Sequence, residues 1–101
     1  MSISTAPSPD GKTLTIRISD RFDFTAHTAL RAAYANAQPR FQSYVLDLRE
    51  TNYMDSSALG MLLQLKEHAG GAKSAVHIKN AKPAIKEILS VANFQQLMTI
   101  D

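Results

Sequence analysis

Residues 45–60 read VLDLRETNYMDSSALG, and the order of residue types within them decides the fold. Tyr44-Val45-Leu46-Asp47-Leu48 is a nearly continuous apolar run, the pattern of a strand covered on both faces. Residues 49–54 are expected to be a connecting loop. Asp55 then caps a helix running to about Ala69 and closed by Gly70-Gly71. That helix is apolar at Ala58, Leu59, Met61, Leu62, Leu63 and Leu65, so wide a surface that it must lie deep against a sheet. A buried strand, a loop and then Asp-Ser-Ser at a helix start place Asp55, Ser56 and Ser57 beyond the carboxyl end of a strand. In open α/β sheets functional groups gather there. The unpaired N–H groups and positive dipole end of the helix would partly accommodate a phosphate formed there without remodelling.

The flanks extend the same pattern. Upstream, Leu14, Ile16 and Ile18 alternate with Thr13, Thr15 and Arg17, which predicts a half-buried strand over residues 12–19. The Asp10-Gly11 pair marks a turn, across which residues 3–6 pair as a short edge strand. Residues 21–24 are expected to be a loop. Ala26, Ala29, Leu30, Ala33, Tyr34 and Ala37 share one helical face, with Thr25 as N-cap and Pro39 as stop. Downstream, residues 75–79 form a strand. A third helix begins at Pro83, buries Ile85, Ile88, Leu89 and Ala92, and is closed by Asn93. Residues 97–100 form a last short strand. Alternating strands and helices define an α/β layer with parallel pairs.

Composition narrows the function classes. A chain of 101 residues is too short for two independent cores. With 45% apolar and 20% charged residues it has the make-up of a compact globular domain rather than a disordered one. The formal net charge is only +2, and Lys and Arg are dispersed, which speaks against a nucleic-acid footprint. The absence of cysteine removes disulfides, thiolate chemistry and Cys-based zinc sites, and fits a reducing cytoplasm. Residues 1–10 lack the pattern of a secretory signal, and the apolar stretch 58–65 is too short to span a bilayer. His27, His68 and His77 fall on different elements and make no metal-ligand spacing. Ser56 has no base at a recognisable spacing, and no acid, base and nucleophile converge, so the chain is not expected to be an enzyme.

With these residues in view, the segment 45–60 resembles the signature of STAS domains, with the Asp-Ser-Ser-x-Leu-Gly turn of the anti-sigma factor antagonists. The resemblance covers the order of elements along essentially the whole chain. It implies a single STAS domain over residues 1–101: a mixed, mostly parallel sheet of four to five strands with three helices. In that family the first Ser after the Asp is phosphorylated, here Ser56. Where antagonists usually read Gly-x-Leu-Asp, this chain reads Asp20-Arg21-Phe22-Asp23, so Asp23 matches the acidic residue near the phosphosite. The family Gly is replaced by Asp20, which requires a compatible backbone there. A second family Gly is replaced by Ala58, a good helix former.

The resemblance further implies a cytoplasmic, partner-switching role. Unphosphorylated, the protein would bind an anti-sigma factor or a serine kinase of the histidine-kinase-like ATPase fold and so free a sigma factor. The kinase would phosphorylate Ser56, and a PP2C-type phosphatase would reverse the modification. ATP and metal would belong to those partners, so this chain itself needs no cofactor. A phosphate adds about −1.5 to −2 charge, and beside Asp55 and Asp23 it would block a close-fitting interface by bulk and charge. Asp55 would cap the helix by accepting from Ser57 or Ala58 and secondarily orient the kinase, and Ser57 is a structural residue of the first turn; both count with Asp23, Phe22, Phe24 and Tyr53 as the expected partner-binding residues. Asp23 would contact the partner or its nucleotide. Asp47 holds a loop. Phe22, Phe24 and Tyr53 flank this surface and would anchor a protein partner where exposed, or pack a loop where buried. The alternative is a STAS scaffold subunit of a lipid-transport or stressosome-like assembly, with no phospho-switch.

Overall fold

The computed structural model describes residues 2–35 and 41–101. Two strands open the chain, β1 (Ser2–Pro7) and β2 (Thr13–Phe22), paired antiparallel from Ser2↔Ser19 to Pro7↔Leu14. Gly11, at φ +71°, turns the chain between them where a side chain would be strained. A short 3₁₀ turn (Phe24–Ala26) leads into α1 (His27–Ala35). Next come β3 (Ser43–Asp47), β4 (Thr51–Met54), α2 (Ser56–His68), β5 (Val76–Lys79), α3 (Pro83–Val91) and β6 (Thr99–Ile100). The sheet order is β1-β2-β3-β5-β6, with β4 also paired to β2, and every pairing after the first is parallel. The mixed, mostly parallel α/β sheet with three helices is as the sequence predicts, with one strand more.

One layer of helices covers one face of this sheet. Leu14, Ile16 and Ile18 of β2, Tyr44 and Leu46 of β3, and Val76 and Ile78 of β5 are buried. They share a core with Leu30 and Tyr34 of α1, Leu62 and Leu65 of α2, and Ile85 and Leu89 of α3. The opposite positions of β2 and β3, among them Thr15, Arg17, Val45 and Asp47, are half-buried or exposed. The strand at 44–48 is therefore sealed on one face only, which corrects the expectation of cover on both.

Two predicted loops are strands. Residues 21 and 22 continue β2, and residues 51–54 form β4 beside them. β3 and β4 run in succession along β2, and the register shifts between Asp20 and Arg21. Asp20 makes that shift in the left-handed region, φ +64°, with its amide donating to the Glu50 carbonyl at 2.8 Å. Thr51 is wholly buried, and its hydroxyl donates to the Ile18 carbonyl at 2.6 Å, tying β4 to β2. Local pattern hid β4 because its inward residues, Thr51 and Met54, are three apart rather than alternating.

The helix ends follow local chemistry. Asp23, not Thr25, is the cap that starts the turn before α1. Ala29 is exposed and Leu63 is 43% exposed, so both leave the buried faces assigned to them. Ala37 and Pro39 lie outside the described residues. Gly70 and Gly71, at φ +100° and +87°, close α2 as expected, and Asn93, at φ +60°, closes α3. Pro83 occupies the first turn of α3.

Candidate functional site

The ends of β2 and β4 set two carboxylates side by side. Arg21 pairs with Tyr53 and Phe22 with Met54, so Asp23 and Asp55 are the residues that directly follow the two parallel strands. Their backbones nearly coincide: Asp23 has φ −131°, ψ −169°, and Asp55 has φ −129°, ψ −174°. Each turns extended chain into helical chain and caps the first turn of that helical chain. Asp55 Oδ1 accepts from the amides of Ser57 at 3.1 Å and Ala58 at 3.2 Å, and from the Ser57 hydroxyl at 2.6 Å. Asp23 Oδ1 accepts from the Thr25 amide at 3.0 Å and the Thr25 hydroxyl at 2.5 Å.

The caps explain the electrostatics. The Ser57 hydroxyl is the main influence holding Asp55 below the usual carboxylate range, helped by the two amides and opposed by burial and by the Asp23 charge. The Thr25 hydroxyl does the same for Asp23, with smaller help from the Thr25 amide and from Arg21. Arg21 Nε lies 3.3 Å from Asp23 Oδ2, and its guanidinium carbon lies 4.0 Å from the centre of the Tyr53 ring. Both carboxylates are thus anionic at neutral pH, and Arg21 is the cation in contact with Asp23.

The two serines differ in occupation. Ser57 is half-buried, and its hydroxyl is engaged by the Asp55 cap. Ser56 is exposed at the first residue of α2. Around it, Phe24 is 71% and Tyr53 38% exposed, while Phe22 is fully buried. Phe22 therefore packs the core and cannot anchor a partner: it points to the helix side of β2, as Met54 does from β4. On the other flank an apolar groove runs between α2 and α3. Leu59, Ile88 and Val91 line it beside Ser56, with Glu87 at its edge. Val91, 80% exposed, and Arg21 are parts of this surface that sequence reading missed. The signal for Val91 was an apolar residue off the buried stripe of its own helix. Arg21 carried none, since its place depends on the pairing of β2 with β4.

The remaining candidates fall elsewhere. Asp47 accepts from the Arg49 amide at 3.1 Å and from Asn80 Nδ2 at 3.2 Å, and lies 3.4 Å from Arg17 Nε, holding the chain past β3. His68 is half-buried, its ring packed against Tyr34 and Tyr44 with centroids 4.9 and 5.9 Å away. His77 Nε2 sits 2.9 Å from Asp101 Oδ2 at the sheet edge. Among the described residues no group of three or more His, Asp or Glu side chains could hold a metal ion. No helix among them is long and apolar enough to cross a membrane.

Known proteins share this fold. The family model described as "Mlab, STAS domain" matches residues 5–99. The STAS-domain containing protein PA14_20770 of Pseudomonas aeruginosa (strain UCBPP-PA14) is 48% identical over 100 residues, spanning 99% of each chain. Among solved structures, the anti-sigma factor antagonist SpoIIAA in its unphosphorylated form matches with a TM-score of 0.76 at 19% identity, over 99% of this chain and 87% of that one. The phosphorylated form of SpoIIAA, a Bacillus cell fate determinant, matches with a TM-score of 0.74 at 18% identity, over 99% and 91%. At such identities the structural likeness carries the fold alone.

Proposed function

Because this chain belongs to the STAS-domain family, we propose that it acts as an anti-sigma factor antagonist, with residues 1–101 as one cytoplasmic STAS domain. The unphosphorylated protein binds an anti-sigma factor or a switch kinase of the histidine-kinase-like ATPase fold. Phosphorylation of Ser56 blocks that binding, and a PP2C-type phosphatase restores it. The chain acts by binding and carries out no catalysis of its own.

One observation carries this reading: of the two serines after the Asp55 cap, Ser57 has its hydroxyl engaged and Ser56 stands exposed at the helix start. A kinase reaching this turn meets Ser56 as the accessible nucleophile. The exposed Phe24 and Tyr53 supply apolar anchors on one side, and the groove between α2 and α3 continues the contact on the other. A phosphate in the middle of that surface would have to be buried with its charge, beside two carboxylates already ionised. The block needs no change of fold, in keeping with SpoIIAA having the same fold in both of its forms.

The test is a comparison of Ser56→Ala and Ser56→Asp as baits in the native host. Ser56→Ala is expected to retain a partner of the kinase fold or an anti-sigma factor, and Ser56→Asp to lose it. Equal retention by both would overturn the switch and favour a constitutive scaffold.

A further inference from the structure

Arg21 is placed to do more than brace Asp23. Its guanidinium is shared between a single Nε contact to Asp23 Oδ2 and the face of the Tyr53 ring. Its side chain is 57% exposed, so both attachments are screened by solvent. Asp23 and Asp55 lie close enough for the charge of one to act on the other, and Ser56 follows Asp55 directly. A long side chain that already touches Asp23 thus stands one neighbour away from the cap of α2.

A phosphate on Ser56 would change the competition for this cation. Two carboxylates and a dianion would crowd the ends of β2 and β4, and Arg21 is the cation in contact with that group. A guanidinium takes a phosphate through two parallel N–H donors, whereas here it makes one contact to a carboxylate. A second cation, Lys82, donates from α3's start to Asn52 Oδ1 on the outer side of β4. It is the natural control.

Resting on the reading of Ser56 as a phosphosite, we infer that Arg21 is a positioning residue for the phosphorylated state: it leaves Asp23 and the Tyr53 ring to pair with the phosphate. The modification then does two things to the partner surface. It adds charge at Ser56, and it strips the cation from Tyr53, so the aromatic anchor beside it loses its fixed orientation.

The experiment installs phosphoserine at position 56 during translation, which needs no kinase. The ³¹P resonance is titrated in the otherwise unaltered protein, in Arg21→Gln and in Lys82→Gln, and the Tyr53 ring protons are followed with and without phosphate. Asp23 and Asp55 raise the second ionisation of the phosphate and Arg21 lowers it, so Arg21→Gln is expected to raise it by roughly half a unit or more. Lys82→Gln should leave it where it stands in the otherwise unaltered protein. The Tyr53 resonances should shift on phosphorylation, and much less so in Arg21→Gln. An ionisation that Arg21→Gln leaves unchanged, or one governed by Lys82, would overturn the inference, as would Tyr53 resonances indifferent to the phosphate. None of these results bears on whether the cell phosphorylates Ser56, which the bait comparison reads separately.

Discussion

Asp23 and Asp55 are structural twins, set next to each other by the parallel pairing of β2 and β4, and each capping its own helical turn through one carboxylate oxygen. Their closeness has a cost, because the Asp23 charge works against the ionisation of Asp55. Replacing Asp23 by Asn is therefore expected to move the Asp55 pKa further down. Carboxyl ¹³C shifts followed against pH check this, and an upward move would contradict it.

The same caps give the stability a defined pH dependence. Asp55 and Asp23 are both held below their ordinary values by hydrogen bonds that exist only in the folded chain. The contribution is thus complete above the unfolded carboxylate pKa, about 4, and is lost as pH falls through the lower folded values. Urea midpoints measured from pH 7 downward should be flat and then drop. Asp55→Asn, which keeps a cap without a charge, should soften that drop.

The buried Thr51 hydroxyl adds a side-chain tie to the backbone pairing of β4 with β2. Thr51→Val keeps the shape but strands the Ile18 carbonyl, and should lose about 1–2 kcal/mol in chemical denaturation. Because β4 carries Tyr53 and leads into Asp55, a further loss of partner binding is expected.

Phe22 and Phe24 are two residues apart and should behave as opposites. Phe22→Ala empties a fully buried position and should lose about 3–5 kcal/mol of stability. Phe24→Ala removes an exposed ring and should change stability by less than about 0.5 kcal/mol. On the proposed function it should weaken partner binding by more than about fivefold. Thermal melts and a binding titration separate the two.

Much of this architecture is legible in residue order because it is local. The alternation of Leu14, Ile16 and Ile18, the Asp55 cap and the Gly70-Gly71 stop each act within a few residues, and the folded chain obeys them. The hidden parts depend on pairing. β4 is a strand because β2 continues past Asp20 beside it, with Asn52 of β4 left over where the register shifts. Phe22 and Phe24 have the same parity, and Phe24 faces solvent because the chain leaves β2 at Asp23 for the 3₁₀ turn, so the exposed anchor could not be chosen from sequence. Thr25 looked like a cap by type, but Asp23 is the one with the extended backbone that capping requires. The backbone at this register shift can be checked at Asp20, where φ +64° strains a side chain without local hydrogen-bonding capacity. Asp20→Ala should lose up to about 1 kcal/mol in denaturation, whereas Asp20→Gly, the residue usual in the antagonists, should be tolerated.

The measurement that tests the switch most directly is the intact mass of the protein purified from its native host, with any added phosphate located by fragmentation and the Ser56→Ala variant treated in parallel. The expected result is a species heavier by one phosphate, carried on Ser56 and missing from the variant. A protein that stays unmodified under every growth condition, with Ser56→Ala cells behaving as wild type, would contradict the switch.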